Sequence, residues 1–252
     1  MKLTRTYRRI TQIEDRKAAA AEKKYATAIR KALKQQGEHF LLHGDIDNSM
    51  FPVIENLYTS LFNEWLPRQW KQLEGNTVKS RFFQQEWLRW TKDFVMTDLL
   101  TKVTAIDEKT QSILRNIVSG GASSGLDFED IAELIRKKTS GTIGRNRART
   151  IARTEVGEAI NTAKTKSSDD WEAETGTKLG KLWIHRGAKD PRDWHVALDN
   201  GVSIRKEDKW SVTNPNTGET DLMAHPHDHN ASAGNVINCG CQVIYTRWKG
   251  DD

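Results

Sequence analysis

Apolar side chains recur every three to four residues through most of the first 175 positions, the spacing of helices that bury one face. Asp127 lies just before one such stretch and has the short acceptor side chain that suits a helix N-cap. Small residues recur on one face of the last stretch, so another element can approach it closely. The predicted helices cover residues 10–36, 51–73, 79–103, 108–117 and 127–138, and a last one begins at residue 142 and ends before Gly176.

The pattern changes after Gly176. Residues 182–185 and 242–246 are rich in β-branched and aromatic side chains, and residues 202–204 form a shorter stretch of the same kind. These segments predict a small antiparallel sheet. The predicted fold class is therefore α+β, with a mainly α-helical N-terminal half followed by a small α+β domain.

A run of small residues from Ser119 to Gly125 is typical of a flexible linker. It divides the chain into a helical arm and docking region at residues 1–118, a linker at residues 119–126 and an α+β domain at residues 127–252.

Positive charge is concentrated at the N-terminus. The chain has a net charge of +5, and residues 1–36 hold 11 Lys and Arg against 3 Asp and Glu. Such an arm can contact double-stranded DNA non-specifically through its phosphates, or it can be a solvated helix face. The candidate DNA-contacting residues are Arg5, Arg8, Arg9, Arg16, Lys17, Lys23 and Lys24.

Neither a secretory signal nor a membrane span is predicted, because no apolar run is long enough for either. The two cysteines, Cys239 and Cys241, are separated by one residue and cannot form a disulfide framework. These features predict a soluble protein with reduced thiols that is made and used inside a cell.

Four sequence blocks from about Arg145 to Trp248 resemble the phage Mu protein F-like family of minor head and head-morphogenesis proteins. They are an Arg-Thr-Glu helix, an Asp-x-Arg and Leu-Asp-Gly segment, a proline-and-aspartate turn, and an Asn-Cys-x-Cys ending. The chain departs from the family pattern at Asn200 and Gly240. The residues that carry the motifs are Arg149, Arg153, Thr154, Glu155, Asn161, Arg192, His195, Leu198, Gly201, Pro226, Asp228, Asn238, Cys239 and Cys241.

The resemblance implies a minor capsid protein of a tailed bacteriophage, not an enzyme, with no cofactor. It implies association with the portal protein and with capsid or scaffolding proteins, and a role in head assembly, DNA packaging or DNA delivery. The expected location is the interior of the phage head, after assembly in the host cytoplasm.

The arginines on the Arg-Thr-Glu helix allow two interpretations. Arg145, Arg149 and Arg153 recur every four residues and form one ridge that can bind phosphates or carboxylates. Alternatively the helix is architectural, with its arginines paired within the domain. In that interpretation Glu155 and Asn161 bond the backbone of the downstream loops.

An enzyme is the alternative function. His195, Arg153 and Glu155 are the residue types that a nuclease or toxin-like enzyme would use for proton transfer and anion stabilisation. The competing interpretation is that His195 fixes the turn from Leu198 to Gly201.

A zinc site is a further alternative. His225, His227 and His229 precede Cys239 and Cys241, so imidazoles and thiols are gathered in one stretch. Ligands one residue apart do not match the usual Cys-x₂₋₄-Cys spacing, which favours buried structural cysteines.

Overall fold

The computed structural model describes residues 5–75, 82–186 and 191–248, with side chains from Arg9 onward. Long helices come first and short strands follow, so the predicted α+β class is confirmed. Five residues between α3 and α4, Val95–Leu99, form a π-helical turn. The helices are α1 (Arg5–His43), α2 (Met50–Glu74), α3 (Gln84–Phe94), α4 (Leu100–Ser123), α5 (Phe128–Ser140), α6 (Thr142–Thr175), α7 (Asp193–Val196) and α8 (Ala233–Val236). The strands are β1 (Leu179–Ile184), β2 (Ile204–Arg205), β3 (Trp210–Thr213), β4 (Thr220–Met223) and β5 (Gln242–Arg247).

Two compact units make up the described chain. Unit 2 combines Glu22–Thr59 with Trp90–Ala152, and unit 1 combines the described parts of Met1–Ala21, Ser60–Arg89 and Arg153–Asp252. Neither unit is one continuous stretch of sequence, whereas the sequence predicts consecutive domains.

Unit 2 is helical, and its buried core includes Phe40, Leu114 and Ile135. Asp127 caps α5 as predicted, since its side chain accepts a 2.8 Å hydrogen bond from the backbone N–H of Asp130. α1 continues through Gly37 to His43, beyond the predicted end of the first helix at residue 36. A Cβ at Gly37 would lie 2.7 Å from the Thr139 hydroxyl oxygen, so this glycine permits close packing of α1 and α5.

The segment predicted as a flexible linker is helical over residues 119–123, which form the last turns of α4. Gly125, with φ of 73°, follows the helix in the left-handed conformation that commonly terminates helices. The polypeptide therefore turns at residues 124–127.

Unit 1 contains both small sheets. In the first, β1 is central and pairs antiparallel with β2 and β5, and every residue of β1 is buried. The second is an antiparallel β3–β4 hairpin that the sequence pattern did not predict. In the part of α6 that belongs to unit 1, the predicted small face is buried at Val156, Ala159 and Ala163.

An ion pair lies inside unit 1. The ammonium of Lys164 on α6 is 2.8 Å from a carboxylate oxygen of Glu14 on α1, and the side chains are 0% and 2% exposed. None of the described helices combines the length and apolar composition that a membrane crossing needs.

Candidate functional site

The family-motif residues of unit 1 converge on the loops that lie against α6. Gly157 on this helix makes close approach possible, because a Cβ there would lie 2.4 Å from a ring nitrogen of His227. The loop containing His227 can therefore pack directly onto the helix backbone.

Asn161 connects α6 to two of these loops. Its amide nitrogen donates to the carbonyl oxygen of Pro226 at 3.0 Å and to that of Cys241 at 3.4 Å. Its side-chain oxygen accepts a 3.0 Å hydrogen bond from the backbone N–H of Val243. The residue is fully buried, so these bonds satisfy backbone groups that water does not reach.

Thr154, two turns earlier on α6, positions the start of the Asn-Cys-x-Cys segment. Its hydroxyl accepts a 2.9 Å hydrogen bond from the backbone N–H of Asn238. Asn238 has φ of 58°, a left-handed conformation that asparagine tolerates better than most residues. The turn directs the following Cys239 into the protein interior, where it is 3% exposed.

Cys239, Cys241 and His195 form the centre of the candidate site. The Nδ1 atom of His195 lies 3.4 Å from Sγ of Cys239 and 3.9 Å from Sγ of Cys241. The three potential ligand atoms all lie within 4.8 Å of one another, and all three residues are buried. Among the described residues, this group has the geometry that could hold a metal ion.

The two thiols differ in pKa, and each affects the other. A hydrogen bond with the Cys241 thiol lowers the pKa of Cys239 well below its ordinary value, and burial, which acts in the opposite direction, does not outweigh it. The same hydrogen bond raises the pKa of Cys241, and burial adds to that increase. Cys239 is thus the sulfur that carries negative charge more readily. It also accepts a 3.4 Å hydrogen bond from the backbone N–H of Cys241.

Asn235 fixes the tautomer of His195. Its amide nitrogen faces two acceptors, the carbonyl oxygen of Val212 at 3.2 Å and a carboxylate oxygen of Asp221 at 2.7 Å. Its side-chain oxygen therefore faces Nε2 of His195 at 3.3 Å and accepts from it. Since Nε2 carries the proton, the lone pair of Nδ1 points toward the two sulfurs.

Aromatic rings and charges reinforce this arrangement. The indole N–H of Trp194 donates to the same oxygen of Asn235 at 2.8 Å, and the Trp183 ring meets His195 edge-on at 5.3 Å. Burial tends to raise the pKa of Asp221, but hydrogen bonds from Ser232 and Asn235 outweigh it and lower the pKa. Asp221 is therefore an ionised anchor for Asn235.

The three histidines of the predicted zinc alternative have different surroundings. His225 is buried and its Nδ1 donates to the carbonyl oxygen of Pro226 at 2.9 Å. Burial lowers the pKa of His225, which favours a neutral ring. His227 is 1% exposed and has φ of 62°, whereas His229 is exposed.

Asp228 shapes the turn that holds these histidines. Its carboxylate accepts hydrogen bonds from the backbone N–H groups of Ala224 at 2.8 Å and Asn230 at 3.0 Å. Burial acts to raise the pKa of Asp228, but these hydrogen bonds prevail and lower it. The family-motif aspartate is thus a turn-forming residue.

The remaining motif residues lie around this centre or on α6. Arg192 donates to the carbonyl oxygen of Ile237 at 2.7 Å, and Gly201 has φ of 76°. Leu198 is half-buried beside that turn. On α6, Arg145 and Arg149 are exposed, Arg153 is half-buried, and Glu155 is buried. Arg145 donates to the Thr142 hydroxyl at 2.9 Å.

The candidate basic residues on α1 are only partly described. Arg9, Arg16, Lys17, Lys23 and Lys24 are exposed, and the side chains of Arg5 and Arg8 lie outside the described residues. Lys17 pairs with Glu64 at 2.5 Å, and Lys24 lies 4.7 Å from the centre of the Tyr25 ring.

Sequence reasoning missed Asn235 and Asp221. Both lie in segments for which the sequence analysis predicts no helix or strand, and neither belongs to a recognised motif. The only local signal was the alternating Trp210–Thr213 segment followed by Asn214-Pro215-Asn216-Thr217-Gly218, which is typical of a hairpin.

Comparison with known families gives one match. A family model described as phage Mu protein F like protein matches residues 112–244. No curated protein and no solved structure matches the chain. The matched range begins within α4, upstream of the motifs, and ends in β5, so it includes all three residues of the His195–Cys239–Cys241 centre. Because the match covers more than half of the 252 residues, the chain belongs to the phage Mu protein F-like family of phage head morphogenesis proteins.

Proposed function

We propose that the chain is a minor capsid protein of a tailed bacteriophage that associates with the portal and the procapsid, inside the phage head. In this proposal it assists head assembly, DNA packaging or DNA delivery. The observation that carries the proposal is the family match over residues 112–244. Capsid or scaffolding proteins are the other partners that such a role implies.

An apolar groove in unit 2 supports a protein partner. It has a cavity volume of about 410 Å³ and is lined by residues of α1, α4 and α5, among them Phe40, Val118 and Phe128. Phe128 is 64% exposed and Val118 is 38% exposed. A groove that exposes large apolar side chains gains free energy when a partner covers it.

The exposed basic side chains on α1 support contact with DNA. Arg9, Arg16 and Lys23 are exposed, and phosphate binding by such residues is non-specific and weakens as salt is added. Lys17 contributes less, because Glu64 already compensates its charge.

Quantitative mass spectrometry of purified procapsids and mature virions tests the proposal. We expect a few copies of the wild-type chain per particle and about a tenfold or greater loss of incorporation for Phe128→Asp, because a buried charge costs more than ~1.4 kcal/mol. An acidic residue in the first turn of α5 is compatible with the helix itself. Leu222→Asp is the matched control, since Leu222 is 63% exposed in unit 1.

The result that contradicts the proposal is a wild-type chain that accumulates in the infected cell but is absent from both particles. Deleting the helical region would be a poor substitute for the point variant. Such a deletion removes Glu14, the partner of the buried Lys164, and would destabilise unit 1 directly.

The geometry does not favour the nuclease alternative. His195 is 1% exposed and Glu155 is 8% exposed, so neither side chain is placed to meet a polymer substrate. Incubating the purified protein with DNA or RNA tests this alternative, and loss of substrate that His195→Ala abolishes would support it.

A further inference from the structure

We propose that His195, Cys239 and Cys241 bind one Zn²⁺ ion, with His227 as the fourth ligand. The site would be structural, buried within unit 1, and separate from the surfaces that meet a portal or DNA.

The spacing of the three central atoms fits a tetrahedral zinc site. Typical Zn–S and Zn–N bonds of about 2.3 and 2.0 Å place neighbouring sulfur and nitrogen ligands roughly 3.6 Å apart. The Nδ1 atom of His195 lies 3.4 and 3.9 Å from the two sulfurs. The three atoms can therefore ligate one ion with small adjustments.

The His195 tautomer is the one that a metal ligand needs. Metal-bound histidines usually donate their other ring N–H to an oxygen acceptor, which orients the ring. Nε2 of His195 donates to Asn235 at 3.3 Å, and Asn235 is itself held by Asp221 at 2.7 Å. This chain of bonds leaves the Nδ1 lone pair directed at the sulfurs.

The backbone around the cysteines also suits thiolates. The N–H of Cys241 donates to Sγ of Cys239 at 3.4 Å, which stabilises negative charge on that sulfur. Asn238 adopts φ of 58° immediately before Cys239, and the Thr154 hydroxyl holds its N–H. The turn leads Cys239 into the interior, and the sulfurs of Cys239 and Cys241 lie within 4.8 Å of each other.

His227 is the independent observation that points to a ligand. It is 1% exposed, and among the described residues neither of its ring nitrogens makes a hydrogen bond. Its ring neighbours Cys239 and packs against α6 at Gly157. A buried imidazole without hydrogen bonds is costly, and coordination would offset that cost.

The complete site would have no net charge, which is compatible with its burial. Two thiolates balance the charge of Zn²⁺, and two neutral imidazoles add none, so the closed site would be neutral. Two sulfur and two nitrogen ligands in tetrahedral arrangement also select zinc over hard cations such as Mg²⁺.

The test uses the full chain without a histidine tag, purified under reducing conditions and dialysed against metal-free buffer. Elemental analysis should find about one zinc per chain, as in a closed four-ligand site. Cobalt substitution should give the intense visible bands of a tetrahedral site together with sulfur-to-cobalt charge-transfer absorption.

Variants then locate the ion. Cys239→Ser, Cys241→Ser and His195→Ala should lose zinc, and Asn235→Ala should bind it about 10 to 100-fold more weakly. His227→Ala should also lose affinity and change the cobalt spectrum. His229→Ala, on the exposed side of the same turn, is the control and should behave as wild type.

If the cysteine variants do not fold, the zinc content and the cobalt spectrum of the wild-type protein still test the proposal. Folded wild-type protein with no zinc above the buffer blank and no cobalt–sulfur absorption would overturn the proposal. Equal zinc in the wild type and in folded His195→Ala or cysteine variants would place the metal elsewhere and overturn it as well.

Discussion

Asn161 and Val243 are joined by a 3.0 Å hydrogen bond from the backbone N–H of β5 to the side-chain oxygen of α6. The bond is formed where β5 begins, one residue after its first position. Asn161 therefore determines where the strand that follows the Asn-Cys-x-Cys segment meets the long helix.

Asn161→Ala should lower the free energy of unfolding by about 3 kcal/mol, because it leaves buried backbone groups of Pro226, Cys241 and Val243 without partners. Urea unfolding monitored by tryptophan fluorescence measures the change. Thr162→Ala, a half-buried polar substitution on the same helix, should cost less than ~1 kcal/mol. Equal effects of the two substitutions would contradict the role given to Asn161.

Two helical glycines should respond to alanine with opposite signs. Gly157→Ala places a methyl group 2.4 Å from the His227 ring and should destabilise the protein by about 1–3 kcal/mol. Gly120→Ala meets no atom within 4 Å and should stabilise α4 by about 0.5–1 kcal/mol. Thermal unfolding of both variants checks the pair, and stabilisation by Gly157→Ala would show that the loop does not pack on α6 there.

Removing one member of the buried ion pair should be costly. Lys164→Met leaves the Glu14 carboxylate buried without its partner and should cost about 3–5 kcal/mol. Adding Glu14→Leu to Lys164→Met should restore most of this loss, because the uncompensated charge is removed.

An exposed ion pair provides the comparison. The Lys178 ammonium lies 2.9 Å from Glu172, but its side chain is 73% exposed, so Lys178→Met should cost less than ~1 kcal/mol. Denaturant unfolding of all four proteins completes the set, and a cost for Lys164→Met no greater than for Lys178→Met would contradict burial of the first pair.

Lys181 should make stability increase with pH. Burial lowers the pKa of Lys181 to about 8; Lys206 adds to that effect, while Asp208, Asp169 and Asp228 oppose it. Between pH 8 and the ordinary lysine pKa of 10.5, the unfolded chain binds more protons than the folded one. The free energy of unfolding contributed by this group therefore rises across that window, by up to about 3 kcal/mol.

The measurement is the difference between wild type and Lys181→Met in denaturant unfolding from pH 7 to 10.5. We expect the wild type to gain stability relative to the variant as pH rises. Lys209→Met, at an exposed position, should show a constant difference from wild type. If the difference in stability between wild type and Lys181→Met also stayed constant with pH, the Lys181 ammonium would be as well solvated as the exposed Lys209 ammonium.

Local patterns predicted the helices more successfully than the tertiary arrangement. The stretch predicted at residues 51–73 is α2, Met50–Glu74, and the Asp127 cap is present, because both depend on neighbours in sequence. The first helix is predicted to end at residue 36, whereas α1 continues through Gly37, because sequence alone does not reveal Thr139, the residue that requires a glycine there.

The candidate site depended on long-range contacts that spacing does not encode. His195 lies more than forty positions before Cys239, yet its Nδ1 atom is 3.4 Å from the Cys239 sulfur, whereas His229, which is closer in sequence, is exposed. The motifs identified the cysteines and His195 in two different blocks of the sequence. The contact between them depends on the β3–β4 hairpin and on Asn235, neither of which had a strong sequence signal.

The Glu14–Lys164 pair also has a consequence for synthesis of the chain, because its partners are 150 positions apart. At about 5–20 residues per second, a ribosome needs roughly 8–30 seconds to translate from one to the other. During that interval the Glu14 carboxylate lacks the lysine with which it pairs in the folded unit. Unit 1 therefore completes its folding late in translation, and the interval is a period in which a chaperone or an assembly partner can engage the nascent chain.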